Sequence, residues 1–354
     1  MRTYTIASIP GDGIGKEVIP AGERVLDHLA ARAGGFSFRF QRFDWGSDYY
    51  RQHGIMMPAD GLSQLKNVDA IYFGAVGAPD IPDHITLWGL RLAICQPFDQ
   101  YANVRPARVL PGISSPLANL DAGALDWVIV RENSEGEYSG AGGRVHRGLP
   151  EEVAMEVSVF TRPGVERVIR FAFELARSRP RKLLTVVTKS NAQRHGMVLW
   201  DQIAEEVSRN YPDVTWDKML VDAMTVRMVM KPASLDTIVA TNLHADVLSD
   251  LAAALSGSMG VAPTANLNPE RRFPSMFEPI HGSAFDITGM GIANPIGTFW
   301  SAVMMLEHLG EREAAARLMG AIEKVTRQGR LHTPDLGGEA STELVTEAVL
   351  DSLG

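Results

Sequence analysis

The sequence predicts an α/β fold, because short β-branched runs alternate with longer stretches whose apolar residues recur at helical spacing. Residues 4–9 read as a strand, and Gly15–Ala33 as a helix with Val18, Ile19, Ala21, Val25, Leu26 and Leu29 on helical spacing. Residues 70–73 form a second buried strand that enters the turn Gly74 to Gly77. Residues 85–94 read as helix and 101–105 as an extended stretch. Residues 127–130, Leu183–Thr188 and Thr237–Ala240 are further apolar strands. Helical periodicity marks 164–176, 200–209, 314–328 and Thr342–Leu353. The segment 136–161 differs. Gly140, Gly142, Gly143 and Gly148 punctuate it, and Val153, Val157 and Val159 alternate in part, which predicts a projecting β-arm.

With 354 residues the chain can bury a large core, and it is expected to divide into two lobes without a low-complexity linker. A formal charge of −8 argues against nucleic-acid or anionic-membrane partners. It does not exclude an anionic substrate, since local arginines can outweigh the global sign. Cys95 is the single cysteine, so no intramolecular disulfide forms and a reducing, cytoplasmic setting is expected. No signal-peptide pattern is present. The apolar stretch 292–306 is broken by Asn294, Pro295 and Gly297 and is too short to span a bilayer.

Pro10-Gly11-Asp12-Gly13-Ile14-Gly15 lies between a strand and a helix, where glycines let backbone amides approach an anion. Its spacing is not the dinucleotide fingerprint, and the first acid beyond the helix is Asp44. A tight strand–helix turn accounts for the loop equally well. Arg91, Arg105 and Arg131 lie on a helix, after an extended segment and at a strand end. Such cations suit bidentate clamping of carboxylates; for any one alone, a surface ion pair is the alternative.

Asp246 and Asp250, at i and i+4, share one helical face. Two like charges so close are unfavourable unless a cation sits between them, and oxygen ligands select Mg²⁺ or Mn²⁺. Asp222, after the apolar run 219–221, can supply a third oxygen. A solvated acidic helix face is the alternative. Lys189 ends the strand Leu183–Thr188, and near a divalent cation its ammonium form would be disfavoured, leaving a base. In isolation it reads as a surface lysine. Tyr138 closes the run Arg131-Glu132-Asn133-Ser134-Glu135-Gly136-Glu137-Tyr138. His281 sits in a glycine-containing loop whose amides could hold phosphate. No H-x-x-H spacing and no G-x-S-x-G elbow occurs.

In order, residues 11–15, 102–106, 131–138, 188–191, 246–250 and 277–295 resemble one family over nearly the whole chain: the metal-dependent decarboxylating dehydrogenases of isopropylmalate, isocitrate, D-malate and tartrate. Residues 83–89 and 265–271 are similar to its tartrate and D-malate branch. The resemblance implies an isopropylmalate-dehydrogenase-like fold with a parallel and antiparallel sheet flanked by helices. It implies a large cofactor lobe from 1–104 and 262–354, and a small lobe, 105–261, for dimerisation, metal and substrate. The arm 136–161 would interlock with its twin in a homodimer with shared active sites.

The family's roles fall on particular residues. Asp246 and Asp250 resemble the metal ligands of one subunit, and Asp222 the ligand given by the other. Lys189, also acting across the dimer, resembles the base for the hydroxyl, and Tyr138 the acid that protonates carbon after decarboxylation. Arg105 and Arg131 resemble the clamps on the substrate carboxylates. Gly282, Ser283, Ala284, Asp286, Ile287 and Asn294 match the loop for the adenosine half of the cofactor. Asp286 implies NAD, because a carboxylate accepts hydrogen bonds from a ribose 2′-OH and repels a 2′-phosphate. Mn²⁺ or Mg²⁺ is the implied ion, and K⁺ is usual in this branch. The implied activity is oxidation at C2 of a small dicarboxylic 2-hydroxy acid. Tartrate would give oxaloglycolate or glycerate, and D-malate pyruvate and CO₂.

There are departures from the pattern. Cys95 stands where the family has a first clamping arginine, and Arg91, one helical turn earlier, could reach a similar place. Arg91 also replaces the leucine that meets an isopropyl group, which disfavours a branched alkyl substituent. His244-Ala245 and Phe285 replace the usual residues of their loops. The rival readings are an isopropylmalate or isocitrate enzyme, a catalytically silent regulatory subunit and a carboxylate-metal hydrolase. A silent subunit should have lost Tyr138, Lys189 or an aspartate, and a hydrolase leaves the Asp286 loop unexplained.

Overall fold

In the computed structural model, which describes residues 2–120 and 123–354, the strands begin with β1 (Arg2–Gly11), β2 (Phe36–Arg42), β3 (Ala70–Ala75), β4 (Ala102–Arg108), β5 (Asp126–Glu132) and β6 (Gly136–Val145). They continue with β7 (Val153–Val159), β8 (Leu183–Thr188), β9 (Thr215–Leu220), β10 (Thr237–Ala240), β11 (Pro263–Leu267) and β12 (Met276–Pro279). The helices are α1 (Gly15–Ala33), α2 (Ser47–His53), α3 (Gly61–Leu65), α4 (Asp83–Thr86), α5 (Leu92–Cys95) and α6 (Arg162–Ser178). After these come α7 (Gly196–Ser208), α8 (Val221–Met230), α9 (Asn242–Leu255), α10 (Ile296–Leu309), α11 (Arg312–Thr326) and α12 (Thr342–Leu353). The α/β expectation holds. The chain forms two compact units, one from residues up to 100, 109–118 and 253–354, the other from 101–108 and 119–252.

In the first unit the strands pair in the order β2-β1-β3-β12-β11, parallel except between β11 and β12. β3 is apolar throughout because both of its faces are covered. Ala70 and Tyr72 join a core with Tyr4, Leu26, Phe277 and Phe299; Ile71 and Phe73 join another with Ile9, Trp45, Leu90 and Ile94. The apolar stretch 292–306 supplies most of α10, which is buried on nearly every side. Leu110, Ile113 and Val261 enter the first core, which ties their segments to this unit. Among the described residues no helix is long and apolar enough to cross a membrane.

The glycine turn after β1 is a packing joint. Asp12 is 1% exposed, and its carboxylate accepts hydrogen bonds from Ser47 N (2.7 Å), Ser47 Oγ (2.6 Å) and Gly77 N (2.9 Å). One side chain thereby fastens the turns that follow β1, β2 and β3. The helix expected at 85–94 is present, with a π turn at Leu87–Arg91 between α4 and α5. Gly89 is packed so closely that an added Cβ would lie 2.7 Å from Met56 Cγ.

In the second unit the order is β4-β5-β10-β8-β9, antiparallel between β4 and β5 and parallel elsewhere. Trp127, Phe173, Val186, Trp200 and Ile238 are fully buried in it. The expected arm is an antiparallel hairpin of β6 and β7, on which Val145, Leu149, Val153, Met155 and Val157 are exposed. α6 begins as its sequence dictates: Thr161 Oγ1 accepts from Gly164 N at 3.1 Å, with proline in the first turn. Glu135 anchors that cap, accepting from Thr161 N (2.9 Å) and Oγ1 (2.7 Å).

Replacing Asp12 by alanine leaves three donors in the joint without their acceptor. The expected loss of stability is about 3 kcal/mol, read from the midpoint of chemical denaturation. A midpoint equal to that of the parent chain would show that the joint does not depend on this carboxylate.

Candidate active site

Parallel strands present their carboxyl ends along one edge, and in open α/β sheets ligands bind there. Within the second unit the residues singled out by the sequence gather at that edge. Arg131 lies near the end of β5, in register with Ala240 at the end of β10, and Lys189 follows β8. Asp222 opens α8 directly after β9, and Asp246 and Asp250 lie on α9 after β10. β4 runs antiparallel to β5 and brings in Arg105 from the other direction.

The centre of this cluster is the Asp246 carboxylate. Arg131 Nη1 donates to Oδ1 in a very short ion pair, and Arg105 Nη1 reaches the same oxygen at 3.4 Å. Tyr138 donates its hydroxyl to Oδ2 at 3.2 Å, and the Arg131 guanidinium lies 5.1 Å from the Tyr138 ring centroid. Both arginines are buried and held from behind. Arg131 Nε donates to Asn242 Oδ1 (2.8 Å); Arg105 donates to Asn103 Oδ1 (2.7 Å) and Ser249 Oγ (2.6 Å). Burial, then the Asp246 charge, raises the Tyr138 phenol above its ordinary range, and Arg131 opposes this. Desolvation, and next the Asp246 charge, pushes the Asp250 carboxyl upward.

Two oxygen donors that feel each other's charge, on one helix face, suit a small hard divalent cation. Asp222 is engaged otherwise in the single chain: it accepts from Lys189 Nζ at 2.6 Å, and that bond lowers its carboxyl below the usual range. Among the described residues no group of three or more His, Cys, Asp or Glu side chains gathers to hold a metal. The single chain therefore brings together Asp246, Asp250, Tyr138, Arg105 and Arg131, and pairs Lys189 with Asp222.

The remaining sequence-marked residues belong to the first unit. Arg91 is buried, donating from Nε to Glu278 Oε1 (2.8 Å) and from Nη2 to Asn266 Oδ1 (3.0 Å). The loop 281–294 begins with His281, whose Nε2 is buried and has no partner. Ala284 is left-handed (φ 41°) and leads into a short 3₁₀ turn, Phe285–Ile287. Asp286 is exposed and makes no hydrogen bond among the described residues. A buried imidazole nitrogen without a partner and an unused carboxylate fit a polar ligand with a hydroxyl-bearing ring. Asn294 is committed through its side chain, donating to Asp335 Oδ2 (3.0 Å) and accepting from Ile296 N (3.0 Å). Its backbone is what a ligand can use.

Sequence reasoning missed Asn242, Ser249, Asn103 and Glu278, which hold the arginines. Their only signal was a polar side chain beside a predicted strand end or on the aspartate helix. His244, flagged as a departure, has a buried, unpartnered Nδ1; burial lowers its imidazole, Glu137 opposes this, and Lys189 adds to it.

The chain is similar over its whole length to known proteins. The family model for isocitrate/isopropylmalate dehydrogenase matches residues 5–352. A probable tartrate dehydrogenase/decarboxylase of Agrobacterium vitis is 74% identical over 100% of this chain and 98% of its own. The decarboxylating D-malate dehydrogenase of Escherichia coli K12 is 52% identical, covering 99% of this chain and 98% of its own. The crystal structure of isocitrate dehydrogenase from Methylococcus capsulatus superposes with a TM-score of 0.88 at 34% identity, covering 99% of each chain.

Glu132, next to Arg131, is 1% exposed; burial pushes its carboxyl up to about 7, against donors from Ser134 and Glu135 that pull it down. Unfolding returns it to the ordinary 4.5, so the folded chain holds this proton more tightly. Its contribution is complete below that pH and is lost as pH rises through about 7. Across this window wild-type stability should fall by on the order of 3 kcal/mol from this group, and Glu132→Gln should flatten the slope. Equal slopes in urea titrations of both chains would contradict the assignment.

Proposed function

The chain belongs to the isocitrate/isopropylmalate dehydrogenase family, an oxidoreductase family, and we propose that it oxidises tartrate and D-malate in the cytoplasm with NAD and Mn²⁺ or Mg²⁺. D-Malate yields pyruvate, CO₂ and NADH; tartrate yields oxaloglycolate and NADH, or, where the oxidised product is decarboxylated and reduced again, glycerate and CO₂ with no net NADH. The observation that carries this reading is the Asp246 carboxylate, met by Arg131, Arg105 and Tyr138, with Asp250 one turn along α9. The relatives named for tartrate and D-malate support this substrate class.

Asp246 and Asp250, with Asp222 from a second copy, would hold the divalent ion, and Asp286 with the backbone of 282–294 would hold NAD. Bound there, the ion supplies Lewis acidity to the substrate hydroxyl and NAD accepts the C2 hydride. This chain's residues do the rest. Arg105 and Arg131, fixed by Asn103, Ser249 and Asn242, orient the substrate carboxylates through paired N–H donors. Lys189, given to the second copy's site, takes the hydroxyl proton. The 2-oxo acid from malate is a β-keto acid and loses CO₂ from C3, and Tyr138 then returns a proton to that carbon. Arg91, tied to Glu278, disfavours a branched alkyl substituent. Asp286 repels a 2′-phosphate, and K⁺ serves as an accessory ion.

The test is a panel of tartrate isomers, D-malate, isopropylmalate and isocitrate with NAD and Mn²⁺, followed by NADH absorbance and CO₂ release. Tartrate and D-malate should lead; isopropylmalate far ahead of both would remove the assignment. Chelation, or Asp250→Asn, should lower kcat/KM by at least about a hundredfold. Asp286→Ala should narrow the preference for NAD over NADP by roughly tenfold or more.

A further inference from the structure

We propose that Glu17, in the first turn of α1, is a positioning residue that holds the loop 281–294 in the shape that receives the adenosine half of NAD; this rests on the dehydrogenase reading above. The loop has little structure of its own. Inside it, 3₁₀-type bonds join Ile287 N to Ala284 O (3.1 Å) and Met290 N to Ile287 O (3.2 Å). Gly289 and Gly291 adopt φ of 77° and 68°, where no side chain stiffens the backbone.

Around Asp286 its shape is imposed from outside at two places, both by the start of α1. Ile14 N donates to Ser283 O at 2.8 Å, and Gly13 (φ +53°) lies so close that a Cβ there would be 1.9 Å from that oxygen. One turn further along, Glu17 Oε1 accepts from Gly289 N at 2.6 Å. The two tethers bracket Asp286, the residue proposed to read the ribose. Between them Ala284 and Ile287 pack on Ile14, Val18 and Ala293. The far end is fixed separately, since Thr342 donates to Gly291 O (2.9 Å) and Ala293 O (2.7 Å).

Of these contacts, the Glu17 bond alone is a side-chain bond from outside the loop to residues 285–290. A carboxylate acceptor on a backbone amide is among the stronger hydrogen bonds, and it suits the first turn of a helix. Losing it leaves residues 285–290 to sample several conformations, and the nucleotide must then pay their ordering on binding. The residues proposed for the chemistry are untouched, so affinity for the dinucleotide should fall while turnover at saturation stays.

The experiment compares Glu17→Ala, which removes the acceptor, with Glu17→Gln, which keeps an acceptor oxygen without the charge. NADH affinity is read by fluorescence titration, loop order by hydrogen–deuterium exchange of residues 284–291 in the nucleotide-free protein, and steady-state constants with D-malate. Glu17→Ala should bind NADH roughly five- to tenfold more weakly, raise KM for NAD to match and exchange faster across the loop. Its kcat and its KM for the hydroxy acid should stay as in the parent, and Glu17→Gln should lie close to the parent throughout. Parent-like NADH affinity and exchange in Glu17→Ala would overturn the proposal, as would equal impairment in both variants. If the parent chain binds no dinucleotide, the dehydrogenase reading fails on its own. The exchange data then still decide whether Glu17 tethers the loop.

Discussion

Everything at the candidate centre depends on the charge balance around one carboxylate. Two arginines almost wholly removed from water would be costly alone, and Asp246 compensates both through one oxygen while the other receives the Tyr138 hydroxyl. Arg131 lies near the end of β5 and Asp246 in the second turn of α9, which follows β10, so the register of β5 against β10 helps to place the pair. Burial, and after it the Asp246 charge, pushes the Tyr138 phenol and the Asp250 carboxyl toward their protonated forms. A cation placed among these groups would relieve that bias, which links metal affinity to the pairing of strands.

The first unit solves a different problem with the same means. Arg91 enters its interior from a π turn, a device that often marks functional helices, and Glu278 and Asn266 satisfy it there. Asn266 also donates to Glu278 Oε1 at 2.7 Å, so the three form a closed polar cluster across β11 and β12. Asp12 performs the corresponding service for the turns at the ends of β1, β2 and β3. Both cases show buried polar groups joining segments that are distant in the chain.

Much of the frame was legible in the chain. The strands at the starts of both units, the helices α1, α6, α7, α11 and α12, and the glycine-rich arm all follow from apolar period and turn residues. Less visible were β11 and β12, which are short and carry proline or asparagine, β2 and β9, in which polar or charged residues interrupt the apolar ones, and α8, whose apolar residues Val226, Val229 and Met230 stay exposed. Arg91 and Asn294 illustrate the limit at the site. Their positions could be marked, but not that a buried glutamate would occupy the one and a surface aspartate the other.

Local spacing and side-chain identity suffice to specify the α/β class, the chemical types at the site and the i, i+4 aspartate pair. Long-range folding alone makes Asp246 serve two arginines and a tyrosine, pairs Lys189 with Asp222, and brings Glu17 to Gly289. Those partners lie far apart along the chain. Their meeting is set by sheet order and by the cost of leaving a buried polar group unpaired, neither of which is written in any short stretch of residues.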